Sequence, residues 1–456
     1  MTKKLFFLIM GIMLTFTMVF ANSAPSYWEG YPLSEVLVLD QNSAIQVDNE
    51  KLLFDFSDPS ISNADNYWLS GRVSAEYTMT NPTDEAMTVQ MVFPFIDSLD
   101  TIDTEELLVT ANDEQVAYDL FIDYQSLDDD YSFTGNGILD NELSFSDVNL
   151  DNDATLYQFA INTKERMYFT IDFSFDLHNT KIIGMNDLGG YSYDGNDNYE
   201  LSGWVDGQTN VTLLVIGDDL TFSTQAYTSY EKTTEFTDFT VDTTNEIVQP
   251  KGYLLSYLKE NFNNKTISLI DDNQILNIIK YYLHSFQTGY ESAWEIRSYA
   301  EYKRMMAIVY EVNFAANETK TIKVGYLING TMDKTKTATP TYSFKYLLSP
   351  ASYWASFKDL TIDVITPTAS PYIIESSVAF ELESVNHYEV KLSALPEDEL
   401  TFTLYKNQAI TTSDKLDKIL SNWGYYLPFI YLLLAFIIFV VFITYIIKKH
   451  YQKKHQ

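Results

Sequence analysis

The chain has 456 residues, with 63 acidic side chains against 29 basic ones and no cysteine, so disulfides, thiol catalysis and a lipid-modified cysteine are excluded. A formal net charge of −34 makes nucleic acid and anionic lipid poor partners. An apolar content of 46%, with 34 Tyr and 29 Phe, describes a strand-favouring chain too long for one ordinary core.

At the N-terminus, Lys3 and Lys4 precede the apolar run Leu5 to Phe20, and Val19 and Ala21 stand at a signal-peptidase spacing. This predicts a secretory signal over 1–21. A β-rich domain is expected over 25–203. Ser43 to Phe56 reads as two short strands around Asp48-Asn49. Tyr67 to Thr80 alternates, with Val73, Ala75, Tyr77 and Met79 on one face. Asn81-Pro82-Thr83-Asp84 is turn chemistry, and Thr88 to Phe93 returns as a strand that Pro94 ends. Leu107 to Val109 and Val116 to Ile122 predict a hairpin turning at Asn112-Asp113. Leu127 to Asp153 reads as an acidic loop. From Val73 to Thr163 there are 20 acidic residues and no Lys or Arg. Met167 to Leu177 alternates again, through Phe169, Ile171, Phe173 and Phe175. Gly184 to Gly203, rich in Gly, Asn and Asp, is the expected domain boundary.

A second β-rich domain is expected over 204–412. Asn210 to Ile216 and Leu220 to Tyr227 predict a hairpin at Gly217-Asp218-Asp219. A helix is predicted near 272–287, where Ile275, Ile278, Ile279, Tyr282, Leu283 and Phe286 follow a 3.6-residue period. Asp271 is its expected cap, Gln274 stands in the capping-box place, and Gly289 stops it. Met306 to Phe314 and Thr321 to Ile328, joined through Asn317, repeat the layout of Ala75 to Val92, the pattern an internal duplication leaves. Strands at Tyr342–Leu348, Leu360–Ile365, Val378–Leu382, Tyr388–Leu392 and Leu400–Tyr405 complete the unit.

A short polar stalk over 413–424 leads to a transmembrane helix over 425–447. Leu427 to Ile447 has no charged side chain, and its 21 positions reach about 31 Å, the thickness of a bilayer's hydrocarbon core. Lys448, Lys449, Lys453 and Lys454 make 448–456 a cytoplasmic tail. Outside the expected signal and tail, 23 basic residues face 63 acidic ones, a net charge of −40. The expected location is therefore a cell membrane, single-pass, with an acidic ectodomain outside.

Candidate chemistry is sparse. His178, His284 and His387 are scattered without a zinc spacing. No G-x-S-x-G or phosphate-cradling Gly-Lys motif occurs. Asp172-Phe173-Ser174-Phe175-Asp176 nearly matches the metal motif of adhesion A domains, but its alternating Phe residues read as a strand. Paired carboxylates could serve a glycosidase, although with 63 acids proximity alone says little. Calcium is the sharper metal candidate. Asp194, Asn196 and Asn198 have the alternate-oxygen spacing of half an EF-hand loop, without its Gly and Glu, and Asp128, Asp129 and Asp130 form a second oxygen cluster. Tyr191, Tyr193, Trp204, Tyr353 and Trp354 are candidate sugar-stacking rings.

The run Ser74 to Phe95 (SAEYTMTNPTDEAMTVQMVFPF) and the run Tyr342 to Val364 (YSFKYLLSPASYWASFKDLTIDV) resemble two signatures of uncharacterised exported bacterial single-pass membrane proteins with a β-sandwich ectodomain. The first is also similar to the sandwich domain that precedes the von Willebrand A domain in inter-α-trypsin inhibitors. The resemblance covers about a tenth of the chain and implies a β-sandwich with no activity. The expected fold is mainly β: two antiparallel β-sandwich-like units with one inserted amphipathic helix, plus the C-terminal transmembrane helix. The expected function is binding, adhesion or envelope assembly without catalysis or an obligate cofactor. Its partners would be the bilayer and an extracellular protein or glycan. A calcium-dependent glycan-binding module, or an extracellular hydrolase, is the alternative.

Overall fold

The computed structural model describes residues 27–28, 33–34, 37–38, 43–419 and 436–446, except 62–67, 103–106, 128–142, 144, 146, 196–197, 263–266, 268–269 and 286–288. With 50% strand against 18% helix the chain is mainly β. In chain order the first strands are β1 (Gln46–Asp55), β2 (Ser70–Thr80), β3 (Met87–Asp97), β4 (Leu108–Ala111) and β5 (Tyr118–Ile122). The next eight are β6 (Ala154–Thr163), β7 (Met167–Ser174), β8 (Lys181–Asn186), β9 (Gly190–Tyr193), β10 (Asn198–Val205), β11 (Gln208–Ile216), β12 (Phe222–Tyr227) and β13 (Phe239–Val248). Three helices follow, α1 (Pro250–Asn261), α2 (Asp272–Ser285) and α3 (Ala293–Ala300), with β14 (Tyr290–Ser292) before the last. Then come β15 (Arg304–Phe314), β16 (Thr319–Asn329), β17 (Thr341–Leu347), β18 (Ser356–Ile365), β19 (Tyr372–Ser376), β20 (Glu381–Ser384), β21 (His387–Leu392) and β22 (Leu400–Tyr405).

The main body is built on one long sheet, in the order β20-β21-β18-β1-β2-β16-β4, ending on the short strand Glu114–Gln115. Its inward face alternates as the sequence predicts. Leu52 and Phe54 of β1, Val73 to Met79 of β2 and Ile322 to Ile328 of β16 are buried at every second position. Two smaller sheets cover that face. β3, β15 and β5 lie over one half, where Phe93 meets Tyr326 at 4.4 Å. β17, β22 and β19 lie over the other, where Phe54 meets Phe402 at 5.2 Å and Tyr346 at 5.7 Å.

The strand–Asn–strand units are arches rather than hairpins. β2 and β3 lie in opposite sheets, and so do β15 and β16. β2 pairs with β16 and β3 with β15, all antiparallel. Both arches meet at Asn81, which is fully buried. Its Nδ2 donates to Glu85 O at 2.8 Å and Ala315 O at 2.9 Å, and its Oδ1 accepts from Thr83 N at 3.0 Å and Thr83 Oγ1 at 2.7 Å. Across from it Asn317, with φ of 56°, donates its N–H to Thr83 O at 2.9 Å. The two-domain division is not what is found. The point 203/204 falls inside β10, and strands from before it pair with strands from after it throughout the long sheet.

Residues 154–248, joined at one sheet edge by β14, instead form a sandwich inserted between β5 and α1. One sheet runs β13-β6-β11-β8-β14 and the other β9-β10-β7-β12. They close on a separate core of Phe159, Ile161, Phe169, Ile171, Phe173, Leu201 and Leu213. Gly184 to Gly203, expected to be the domain boundary, therefore holds the end of β8 together with β9 and most of β10. β11 and β12, expected to pair, belong to different sheets. Pro94 does not end β3, which continues to Asp97. The short strand Leu37–Val38 flanks β3 only at Met91 and Val92, so at Pro94 no described neighbour asks for the missing N–H on that side.

The predicted helix is α2. Asp271 caps it, its Oδ1 accepting from Asn273 N at 2.8 Å. Gln274 does not complete a capping box. It is buried, and its amide accepts from Ile122 N at 2.6 Å and donates to Leu120 O at 3.2 Å, bonding to the outer edge of β5 as a neighbouring strand would. Gly289 follows with φ of +71°, where a Cβ would meet Leu177 Cδ2 at 2.4 Å.

Helices and insert join at β14, which runs parallel to β8. Tyr290 Oη donates to Asp187 Oδ2 at 2.7 Å, and Tyr282 Oη of α2 donates to Glu291 Oε2 at 2.7 Å. Burial pushes the Glu291 carboxyl up to about 7, and the negative charges of Glu295 and Asp187 add to the rise against the hydrogen bonds from Tyr282 and the Ser292 N–H. The folded state then holds this proton more tightly than the unfolded chain, whose value is near 4.5. Stability is fullest below about pH 4.5 and falls as pH rises to about 7. For this half-buried group we expect a loss of about 1 kcal/mol across that window. Thermal melts of the wild type and of Glu291→Gln check it: the difference between them should vanish at the acid end and favour Gln above pH 7.

No helix of the described residues is long and apolar enough to cross a membrane. Of the expected span 425–447, residues 436–446 are described. They are helical, and every side chain except Phe442 is exposed. The rest of that span, the expected signal 1–21 and the tail 448–456 lie outside the described residues. The expected stalk begins as a helix over 412–419, capped where Thr411 N donates to Asp414 Oδ2 at 2.9 Å.

Candidate functional site

Strand alternation turns Tyr168, Thr170, Asp172 and Ser174 of β7 outward, while Phe169, Ile171 and Phe173 fill the core of the insert. On β10 the outward set is Asn198, Glu200, Ser202 and Trp204, and on β12 it is Ser223, Gln225 and Tyr227. The register sets Tyr168 opposite Trp204, Thr170 opposite Ser202 and Asp172 opposite Glu200. The outer face of this sheet is therefore an array of polar and aromatic side chains, with Thr170 and Ser202 buried at its centre beneath their neighbours.

Its contacts cross strands. Tyr168 Oη donates to Ser202 Oγ at 2.9 Å, and Ser174 Oγ donates to Asn198 Oδ1 at 2.9 Å. Trp204 is 44% exposed. The Tyr168 ring meets it edge-on at 5.5 Å, and the Arg166 guanidinium sits 4.7 Å from its centroid. The two opposed carboxylates have different surroundings. Glu200 is ion-paired with Lys232, which reaches over from the loop after β12. Burial, then the charge of Glu200, pushes the Asp172 carboxyl upward, and Thr170 Oγ1 donates to it at 3.3 Å.

Of the predicted site residues, Tyr191, Tyr193, Asp194, Asn198 and Trp204 fall on the single hairpin β9–β10, but they do not converge. Tyr191 stacks on Tyr290 at 4.6 Å and Tyr193 on Tyr199 at 4.7 Å, so both face the core side, opposite Trp204. Trp354 is buried in the main body and presents no surface; Tyr353, 50% exposed, stands apart from the insert. Asp194 Oδ2 accepts from Asn198 Nδ2 at 2.9 Å, closing the turn locally. Asn196, Asp128, Asp129 and Asp130 lie outside the described residues. Among the described residues no group of three or more His, Asp or Glu is placed to hold a metal ion. The three histidines each meet a separate aspartate: His178 with Asp176, His284 with Asp147 and His387 with Asp363. Asp176 of the Asp-x-Ser-x-Asp run lies past the end of β7, away from Asp172 and Ser174 on the outward face.

Sequence reasoning missed Tyr168, Tyr227 and Glu200 as members of one face. The alternation of β7 and β10 was a usable signal for them; the reach of Lys232 had none. The main body carries a cleft of about 800 Å³ between Gln115–Phe121 and Ile270–Gln274, and another of about 570 Å³ along α1. Neither touches the Trp204 face.

No family model matches the chain, and no curated protein matches it. Among solved structures, a Legionella pneumophila protein provisionally described as nutrient-binding is similar in outline, at 10% identity over 84% of this chain and 73% of that one. The TM-score is 0.33, a superposition too loose to bear on ligand or activity.

Proposed function

We propose that the chain is an exported, non-catalytic binding protein held at a membrane by its apolar C-terminal segment, and that the outer face of the β9-β10-β7-β12 sheet is its contact surface for carbohydrate. The observation that carries this reading is Trp204, held by Arg166 and Tyr168 with nearly half its surface open and set among hydroxyl, amide and carboxylate groups. Sugar rings offer apolar C–H faces to an indole and hydroxyls to polar side chains, the combination this face supplies. The exposed apolar helix over 436–446 and the lysine-rich tail support tethering. In a glycan array with full-length protein, bound glycans should lose about tenfold or more in affinity on Trp204→Ala, a loss of about 1.4 kcal/mol or more. Tyr353→Ala should leave them unchanged. Equal binding by wild type and Trp204→Ala would remove this face from consideration.

A second reading, glycoside hydrolysis, rests on the Asp172–Glu200 pair, directly opposed with one carboxyl pushed upward and the other ion-paired. An open sheet face that leaves substrate in water favours binding over hydrolysis. Release of reducing ends from a bound glycan, abolished by Asp172→Asn, would reverse that order.

A further inference from the structure

We propose that the outer edge of β13 takes up an extended, basic segment of another polypeptide as an added strand. β13 ends its sheet and is ten residues long, whereas the other sheet-ending strands among the described residues have six or fewer. Its pairing with β6 runs unbroken from Phe239 to Val248, with no bulge to twist the edge away. Its sequence has no Pro and no Lys, the residues that ordinarily blunt such an edge. Two of the shorter edges elsewhere are occupied. The Gln274 amide bonds to the edge of β5, and the Phe236 N–H donates to Ala226 O beside β12 at 2.8 Å. Among the described residues no backbone hydrogen bond reaches β13 from its outer side.

The chemistry of the edge selects the occupant. Asp242 and Glu246 stand on one face of β13, both exposed, with no ion pair among the described residues. That face leads past Val248 into the cleft along α1, lined by Tyr253, Tyr257 and Glu260. On the opposite face Val241 is half-buried against the insert's core and Ile247 is exposed. A strand with Lys or Arg at alternate positions and apolar residues between them would satisfy both faces as well as the open ladder. A second copy of this chain would bring the same carboxylates, on a chain with a net charge of −34, against each other.

The test uses full-length protein in neutral detergent and a fluorescent decapeptide alternating Lys and Val. It should bind, and an alternating Glu–Val peptide should not. N-methylation of one alternate set of amides should abolish binding, while methylation of the other set spares it, because only one edge of the added strand meets β13. Asp242→Lys with Glu246→Lys should weaken the Lys–Val peptide about tenfold or more and let the Glu–Val peptide bind. Absence of Lys–Val binding, or equal binding of both methylated peptides, which would reduce the attraction to net charge, overturns the proposal. So does a concentration-dependent dimer that the double variant dissolves, which would make a second copy the occupant.

Discussion

Asn81→Ala should lower the free energy of unfolding by about 3 kcal/mol. Alanine removes the buried amide that holds Glu85 O, Ala315 O and Thr83 N, on residues that are themselves exposed or half-buried. Each group left unsatisfied costs about 1–3 kcal/mol where water is kept out and less where it enters, and the Thr83 hydroxyl keeps its bond to Glu85 O at 3.0 Å. Asn81→Asp should lose more, because it retains the acceptor but sets a carboxylate against two carbonyl oxygens. Urea unfolding followed by tyrosine and tryptophan fluorescence measures both. A loss below about 1 kcal/mol for Asn81→Ala would mean that the two arches do not depend on this amide.

Arg304→Met is the second large effect, also about 3 kcal/mol. The Arg304 guanidinium is completely buried at the start of β15. Its Nη1 donates to Asp123 O at 3.1 Å and Tyr124 O at 3.2 Å just past β5, and its Nη2 donates to Tyr299 O at 2.7 Å in the last turn of α3. One planar group thus ties the end of a helix to the end of a strand. Burial lowers its pKa to about 10, opposed by Tyr299 and Asp123, so it stays charged at neutral pH. Methionine fills much of the volume but satisfies none of the three carbonyls. Arg304→Lys should fall between, at about 2 kcal/mol, since an ammonium cannot reproduce the fork. If Met is as stable as Arg, the carbonyls have found other donors and the tie is dispensable.

Which face of each strand is buried could be read from alternation, and Val73 to Met79 or Phe169 to Phe173 came out as expected. Which strand lies beside which could not, because period-two patterning is blind to partners. β2 meets β16 some 250 residues later through a ladder that no local signal encodes. The Asn81-Pro82-Thr83-Asp84 turn was visible, yet the same residues serve a hairpin or an arch. The duplicated layout was visible too, and its meaning is the cross-pairing of two arches. α1 escaped because only Leu254 and Leu258 mark a buried stripe and Gly252 interrupts its first turn. α3 carried a readable start, Ser292 with Glu295 three residues on, where Ser292 Oγ accepts the Glu295 N–H at 3.2 Å. At the site, Trp204 was picked out for its chemistry. Tyr191 and Tyr193 are candidates on the same ground, yet strand parity sends them to the other side.

The central claim, that ligands meet the outer face of the insert, is open to hydroxyl-radical footprinting of the full-length chain with and without a saturating bound glycan. The claim predicts that oxidation of Trp204, Tyr168 and Tyr227 is suppressed while Trp294, Tyr302 and Tyr353, all exposed elsewhere, react as before. Suppression confined to those three, with Trp204 reacting at its free rate, would contradict it.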